Sequence, residues 1–378
     1  MRVQTTTKIK ITATPEIVET LKIYQKGLQF CVNEAWTRKI KNAFKLQPFV
    51  YSHLRSLTLQ SQLAIACIKQ ATGMVKKGKT KPIVNNVSMR YNFPRSASFK
   101  NNTLSLATIK GRQKFDFEIP ECYKPYFEWD VKESLLRIDK KGRCFFLFTF
   151  AKEVSPNVLD SQSQILGIDL GIKNLAVCSD NRFFRVGKVK QIKRKYKFLR
   201  AKLQAKGTKS SKRLLKKISG QEQRFMADVN HCTSKKIVAG IPSGKIIMEN
   251  LKGIRKKNRG RKMNYWISNW SFYQLQFFIQ YKAERKGLIF EKVKPNYTSQ
   301  ICHKCGLLGS RSGSLFSCHC GCSCDADLNA ARNLASPKLV ERQAAVNRPN
   351  VACCDAKASS DELKRSIVTS PRTLVVGY

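Results

Sequence analysis

Two short apolar runs each carry a carboxylate that such a run should not hold. Asp169, in GIDLGIKNLA (167–176), stands among Ile165, Leu166, Ile168, Leu170 and Ile172, a pattern that predicts a buried parallel strand. Glu249, in GKIIMEN (244–250), follows Ile246, Ile247 and Met248 on a second short strand of the same kind. Burying a bare carboxylate is expensive, so each acid must be protonated, paired or bound to a cation. A third candidate, Asp327, lies in CDADLNAARNLA, where Ala330, Ala331 and Leu334 mark a helix that the acids precede or begin. Taken singly, each acid could be a separately paired structural residue. Brought together, they make a site too negative to exist without cations. Two divalent ions roughly 4 Å apart would satisfy it, one activating water and the other stabilising the leaving oxygen of a phosphodiester. Hard oxygen ligands select Mg²⁺ or Mn²⁺.

Charge names the partner. Lys and Arg number 71 against 25 Asp and Glu, a formal net charge of +46. Self-repulsion on that scale opposes folding unless a polyanion neutralises it, and the basic residues run all along the chain, which points to nucleic acid. Residues 188–217 contain fourteen Lys or Arg and no acid, so a helix there has no internal ion pairs and is expected to lie against phosphates. Lys193, Arg194 and Lys197 are its candidate contacts, and Arg255 and Lys256 are those of the basic loop KGIRKKNRGRK (252–262). No apolar stretch of eighteen residues offers a membrane span, and MRVQTTTKIKITATPE lacks the apolar core of a signal peptide. A cytoplasmic protein without a membrane partner is expected.

Six of the fourteen cysteines crowd between Cys302 and Cys324, which points to metal instead of a secreted disulfide scaffold. Cys302-x-x-Cys305-Gly306 is a regular zinc knuckle, its glycine allowing the tight turn under the metal. Cys318, Cys320, Cys322 and Cys324 offer several pairings, none of them C-x-x-C. The unit reads as a closed structural site holding one Zn²⁺. The four histidines, His53, His231, His303 and His319, form no catalytic set, and His231 reads as a core residue or an RNA contact.

Elsewhere, residues 3–12 alternate as a strand. Ile17, Leu21, Tyr24, Leu28, Cys31 and Ala35 follow at helical spacing, and a second helical region spans Tyr51 to Val75. Strand-like SLATI (105–109), KFDFEI (114–119) and CFFLFTF (144–150) come next, so a β-barrel interrupted by a helical bundle fits. A linker-like stretch spans Ser155–Gln164. WSFYQLQFFIQYKAERKG (270–287) reads as an amphipathic helix with Phe272, Leu275, Phe278 and Ile279 inward, and the composition beyond Pro337 turns polar and patternless.

GIDLGIKNLA, IIMENLKGI, YTSQICHKCG and CDADLNAARNLA, in this order, resemble the TnpB/OrfB proteins of insertion sequences, relatives of the compact type V CRISPR nucleases. The resemblance covers about 165–335 closely and the N-terminal part more loosely. It implies a multidomain α+β chain: a wedge β-barrel (1–14 and 83–158) with a helical recognition insertion (15–82). After these would come a RuvC-like, RNase H-type nuclease domain (159–300 and 325–336), an inserted zinc ribbon (301–324) and a disordered tail (337–378). It implies RNA-guided cleavage of double-stranded DNA beside a short flanking motif, with a guide transcribed from the transposon end; whether the chain is a monomer or a dimer stays open. By position, Asp169, Glu249 and Asp327 match the catalytic acids, and Asp325 is the neighbour not chosen. In the ribbon, the second knuckle is one residue short. Counting back from Asp327 puts Cys320 in the usual fourth-ligand place and makes Cys318 the third, with Cys322 or Cys324 as substitutes. No HNH signature interrupts the nuclease segments. The competing readings are a guided repressor that does not cut, against which the intact acids weigh, and a conventional transposase, which the charge suits less well.

Overall fold

The structure, a computed structural model, describes residues 1–85, 88–139, 141–157, 163–256 and 258–347. It is a mixed α/β chain that divides into two compact units. One comprises Met1–Gln164, Asn230–Gly244 and Gln274–Phe290, the other Ile165–Val229, Lys245–Tyr273 and Glu291–Tyr378.

The first unit opens with β1 (Arg2–Ile11) and the helices α1 (Pro15–Thr37), α2 (Ala43–Ser56) and α3 (Ser61–Lys77). Seven short strands follow: β2 (Ser88–Tyr91), β3 (Ala97–Lys100), β4 (Thr103–Thr108), β5 (Gly111–Asp116), β6 (Asp130–Val131), β7 (Ser134–Ile138) and β8 (Cys144–Glu153). β1 pairs antiparallel with β8 from Arg2↔Glu153 to Ile11↔Cys144, so the first and last strands close on each other and everything between them is an insertion. One sheet runs β1-β8-β7-β2, with β6 also on β8, and β3-β4-β5 form a second. The alternation in CFFLFTF sends Phe146, Phe148 and Phe150 into the core cluster that also holds Tyr24, Leu28 and Leu63 of the helices. Thr14 caps α1, its side chain accepting from the Ile17 amide, with Pro15 in the first turn. The helical region expected over Tyr51–Val75 is two helices. Asn42 caps the first well upstream, and the chain turns between them at Thr58, whose φ is 64°.

The second unit is built on a five-stranded sheet, ordered β11 (Phe183–Arg185), β10 (Asn174–Cys178), β9 (Gln164–Asp169), β12 (Gly244–Glu249) and β13 (Ile289–Val293). The strand holding Asp169 was expected to be parallel. Its hairpin partner is antiparallel, with Val177 opposite Asp169 and Cys178 opposite Ile168, because only a few residues separate the two strands. The later helices are α4 (Gly187–Lys206), α5 (Lys209–Ala239), α6 (Arg261–Asn269) and α7 (Phe272–Arg285); α4, α6 and α5 up to Val229 belong to the second unit, and α7 from Gln274 on belongs to the first. A three-stranded hairpin sheet, β14 (Ser310–Ser312), β15 (Leu315–Ser317) and β16 (Ser323–Asp325), leads into α8 (Ala326–Ala335) and α9 (Leu339–Asn347).

Three expectations change here. The basic run is not one helix: Gly207 at φ 66° ends α4, and α5 restarts at Lys209. The missing acid comes from α5, since Glu222 pairs with Arg200 across the hairpin while Val189 packs on Met226. The tail beyond Pro337 opens with α9, and residues 348–378 of the expected disordered segment lie outside the described residues, as do 158–162 of the linker. Inward positions of α7 are as read for Phe272, Leu275 and Ile279, which are buried, whereas Phe278 is half-buried under the His231 ring at 3.8 Å. Among the described residues no helix is long and apolar enough to cross a membrane.

Gly167 lets α8 lie directly on β9. A Cβ built there would sit 2.0 Å from the Ala331 carbonyl oxygen and 2.6 Å from the Ala335 nitrogen, both backbone atoms that cannot step aside. Gly167→Ala is expected to lower stability by about 3 kcal/mol or more, read by thermal or urea unfolding. A wild-type midpoint would show that α8 does not need this approach.

Candidate functional site

Asp169 and Glu249 are the last residues of neighbouring strands, and Asp327 sits in the first turn of α8. All three line one cleft of about 630 Å³, together with Lys173, Lys252, Arg259 and Arg311. The acids are half-buried, not sealed inside the strands as the apolar runs suggested, because the strands end where the cleft opens. Loss of water around Asp169, reinforced by the charges of Glu249 and Asp327, pushes its carboxyl well above the ordinary aspartate range, against the opposing pull of Arg311. Burial raises Glu249 too, opposed by the Thr298 hydroxyl, which donates to its Oε1. Asp327 Oδ1 accepts from the Arg311 guanidinium at 3.1 Å and Oδ2 from the Asn174 amide at 3.0 Å. Arg311, Asn174 and Thr298 were not singled out from the sequence. Arg311 lies on a three-residue strand of a serine-rich hairpin, and no spacing rule links it to Asp327. No histidine lines the cleft.

Around α8, backbone groups are held by side chains. Asp325 is its N-cap, its Oδ1 accepting from the amides of Asp327 (2.9 Å) and Leu328 (3.2 Å), so it orients Asp327 and does not itself line the cleft. One turn on, Asn329 donates to the Ile301 carbonyl at 2.8 Å, and Asn333 donates to those of Thr298 and Ile301 at 2.9 and 2.6 Å. The helix that carries Asp327 therefore also clips the segment that carries Thr298 and Cys302. Asp325→Ala is expected to cost about 1 kcal/mol, and Asp325→Asn, an equally good cap, to restore it. An asparagine variant as unstable as the alanine one would mean that the charge matters, not the cap.

The sulfurs of Cys302, Cys305, Cys318 and Cys320 lie within 4.8 Å of one another, with Cys302–Cys320 at 3.6 Å and Cys305–Cys318 at 3.5 Å. A tetrahedral Zn–S bond of about 2.3 Å implies an edge of about 3.8 Å, so the donor set fits a tetrahedral thiolate site. The irregular second knuckle has a local explanation. In the first, the Gly306 amide reaches back four residues to the Cys302 carbonyl; in the second, Gly321 reaches back three to Cys318, at φ 76°. A tighter turn accommodates the missing residue.

The basic candidates divide. Arg194 and Lys197 of α4 and Lys256 are exposed. Lys193 is not a surface contact: it is buried and donates to the Asn269 carbonyl, and burial lowers its pKa. The helical face that holds it packs inward. Arg255 donates to the Trp270 carbonyl at 3.2 Å and lies over the Phe272 ring. Neutralising Arg194 and Lys197 is expected to reduce the salt slope of nucleic-acid binding by about two units, one per lost phosphate contact. Lys193→Ala should instead lower the melting temperature. Binding with an unchanged slope in the double variant would make α4 a merely solvated helix.

Residues 149–255 match the family model OrfB_IS605, described as "Probable transposase", and residues 272–334 match that of the Cas12f1-like TNB domain. The TnpB-like protein MJ0751 of Methanocaldococcus jannaschii is 32% identical over 205 residues, covering 50% of this chain and 73% of that protein. The CRISPR-associated endodeoxyribonuclease Cas12f1 of Sulfoacidibacillus thermotolerans is 32% identical over 236 residues, covering 56% of this chain. The match spans only 54% of that nuclease's own length. In fold, the chain is similar to Cas12f1 solved by cryo-EM as a Cas12f1–sgRNA–target DNA complex, with a TM-score of 0.58, 16% identity, and 85% and 82% of the two chains covered. The chain belongs to the TnpB-like family.

Proposed function

We propose that the protein is an RNA-guided DNA endonuclease encoded by a transposable element, and that Asp169, Glu249 and Asp327 are its catalytic acids. The observation that carries this reading is the convergence of three carboxylates, from two strand ends and one helix start, on one cleft whose lining also includes Lys173, Lys252, Arg259 and Arg311. In this reading the second unit is a RuvC-like nuclease domain of RNase H type, and the first serves as wedge and recognition domains. The partners are a guide RNA from the transposon end and double-stranded target DNA, and base pairing, not side chains, reads the target.

The three acids suit hard divalent cations such as Mg²⁺, whose charge relieves the repulsion that Glu249 and Asp327 exert on Asp169. When bound, such ions polarise water and the phosphodiester for hydrolysis. The chain's own residues do the rest. Thr298 orients Glu249, while Asn174 and the Asp325 cap orient Asp327. Arg311, at the cleft edge, stands where it can exchange a carboxylate for a phosphate oxygen. Hydrolysis by water needs no serine or tyrosine nucleophile and no covalent protein–DNA intermediate in this reading. Cys302, Cys305, Cys318 and Cys320 would hold the structural Zn²⁺.

The test uses the chain purified with its RNA, a plasmid library with randomised flanking sequence, and Mg²⁺. Asp169→Ala is expected to abolish cutting and retain guided binding. Cutting that persists in this variant or in EDTA removes Asp169 from the mechanism, and absence of a defined co-purifying RNA removes the guided reading. The metal-free chain gives a second measure. With its carboxyl held above the usual range, Asp169 favours the folded state while protonated. That stability is lost as pH rises from the ordinary aspartate range through the raised value. Asp169→Asn is therefore expected to flatten this fall in EDTA melts and to raise the neutral-pH midpoint; an unchanged profile would contradict it.

A further inference from the structure

After Glu34 the chain carries no acid until Asp116, so eighty-one residues pass with sixteen Lys and Arg and no Asp or Glu. Helix α2 lies within this stretch. Its inward face is ordinary, with Leu46, Val50 and Leu54 buried. Its outward face is not. A surface helix turns polar side chains to water, yet Phe44 is 80% exposed and Phe49 48%, with Pro48 exposed between them. Lys45 shares this face, and Arg38, Lys39 and Lys41 stand exposed on the turn that leads into it.

The patch is held in place before anything binds. The Asn42 side chain accepts from the amides of Phe44 at 2.9 Å and Lys45 at 3.4 Å, which fixes the start of the helix. Arg38 pairs with Glu34 at 2.8 Å and lies over the Phe49 ring, 4.3 Å from its centre. That pair occupies the nearest acid in sequence. Among the described residues no carboxylate pairs with Lys39, Lys41 or Lys45.

We propose that this face of α2 and the turn before it dock the guide RNA, with unpaired bases stacked on Phe44 and Phe49 and backbone phosphates on Lys39, Lys41 and Lys45. Cations beside exposed rings match what a single strand offers, a charged backbone and flat base faces. A second copy of the chain would set these cations against their own image, since a two-fold interface pairs a patch with itself. Duplex DNA offers phosphates, but its bases stack on one another, and extruding one costs energy. Loops, bulges and ends of a folded RNA present bases already free to stack. The inference rests on the guided reading for the identity of the RNA. It concerns a surface of the first unit, which holds none of the three acids.

The test uses the full-length chain and the RNA that co-purifies with it. Ultraviolet cross-linking followed by peptide sequencing is expected to place nucleotide adducts on α2, at Phe44 or Phe49. For affinity, the chain is freed of RNA in high salt and titrated with that same RNA. Phe44→Ala with Phe49→Ala is expected to weaken binding about tenfold or more at fixed salt. The salt slope should not change, because stacking releases no counterions. Phe44→Leu with Phe49→Leu should behave like the alanine pair, and Phe44→Tyr with Phe49→Tyr like the wild type, since the ring is what stacks. Lys41→Ala with Lys45→Ala should instead lower the slope by about two units. Both rings are exposed, so an unchanged melting temperature is expected throughout. Adducts confined to other segments, or wild-type affinity in the alanine pair, overturn the proposal. So do adducts that form only with added duplex DNA, and a dimer that the alanine pair dissociates while RNA affinity stays. Absence of a defined RNA removes the guided reading and this proposal with it, whereas a defined RNA without adducts on α2 removes this proposal alone.

Discussion

The contact on which the candidate site depends is the backbone approach of α8 to β9 at Gly167. It sets the start of that helix, and hence Asp327, at a fixed height over the strand that ends in Asp169. The amides of Asn329 and Asn333 extend the same constraint to Thr298 and Cys302. One ten-residue helix therefore registers the strand acids, the support of Glu249 and the first knuckle against each other. Because the acids repel, a looser scaffold would relax by moving them apart, and rigidity here is what keeps the charge concentrated.

Much of this was legible in the residues because the relevant signals are local. An acid at the end of an apolar run, a glycine after C-x-x-C and an Ala-rich helix after an acid each leave a mark within a few positions. What escaped reading is nonlocal. Arg311 reaches Asp327 because a hairpin folds back, and Thr298 supports Glu249 across a loop. Asp325 was set aside in favour of Asp327 by resemblance, and its capping bond supplies a physical reason for the distinction. Lys193 was misjudged for a related cause. A charge run shows where cations are frequent, not which of them faces inward, and the face was set by Asn269, far along the chain. Likewise, the break at Gly207 was visible as a residue but outweighed by the run of helix formers on both sides.

In the first unit, the pairing of β1 with β8 brings the ends of a long segment together, so the helices and inner strands occupy a closed excursion from one two-stranded ribbon. The aromatic face of β8 packs on Phe93, Phe99, Phe117 and Phe127 through residues that alternate with half-buried ones.

The hairpin of α4 and α5 folds a run of cations back on itself, with the Arg200–Glu222 pair and a small apolar patch holding the two arms. Its stability is therefore coupled to the ionic atmosphere in an unusual direction. For most surface ion pairs added salt weakens the fold, whereas here the dominant force between the arms is repulsion, and a shorter Debye length relieves it. By the same reasoning, low ionic strength would strain the hairpin and a polyanion laid along it would relieve that strain. A bound nucleic acid would thus act as an electrostatic clasp for this part of the fold.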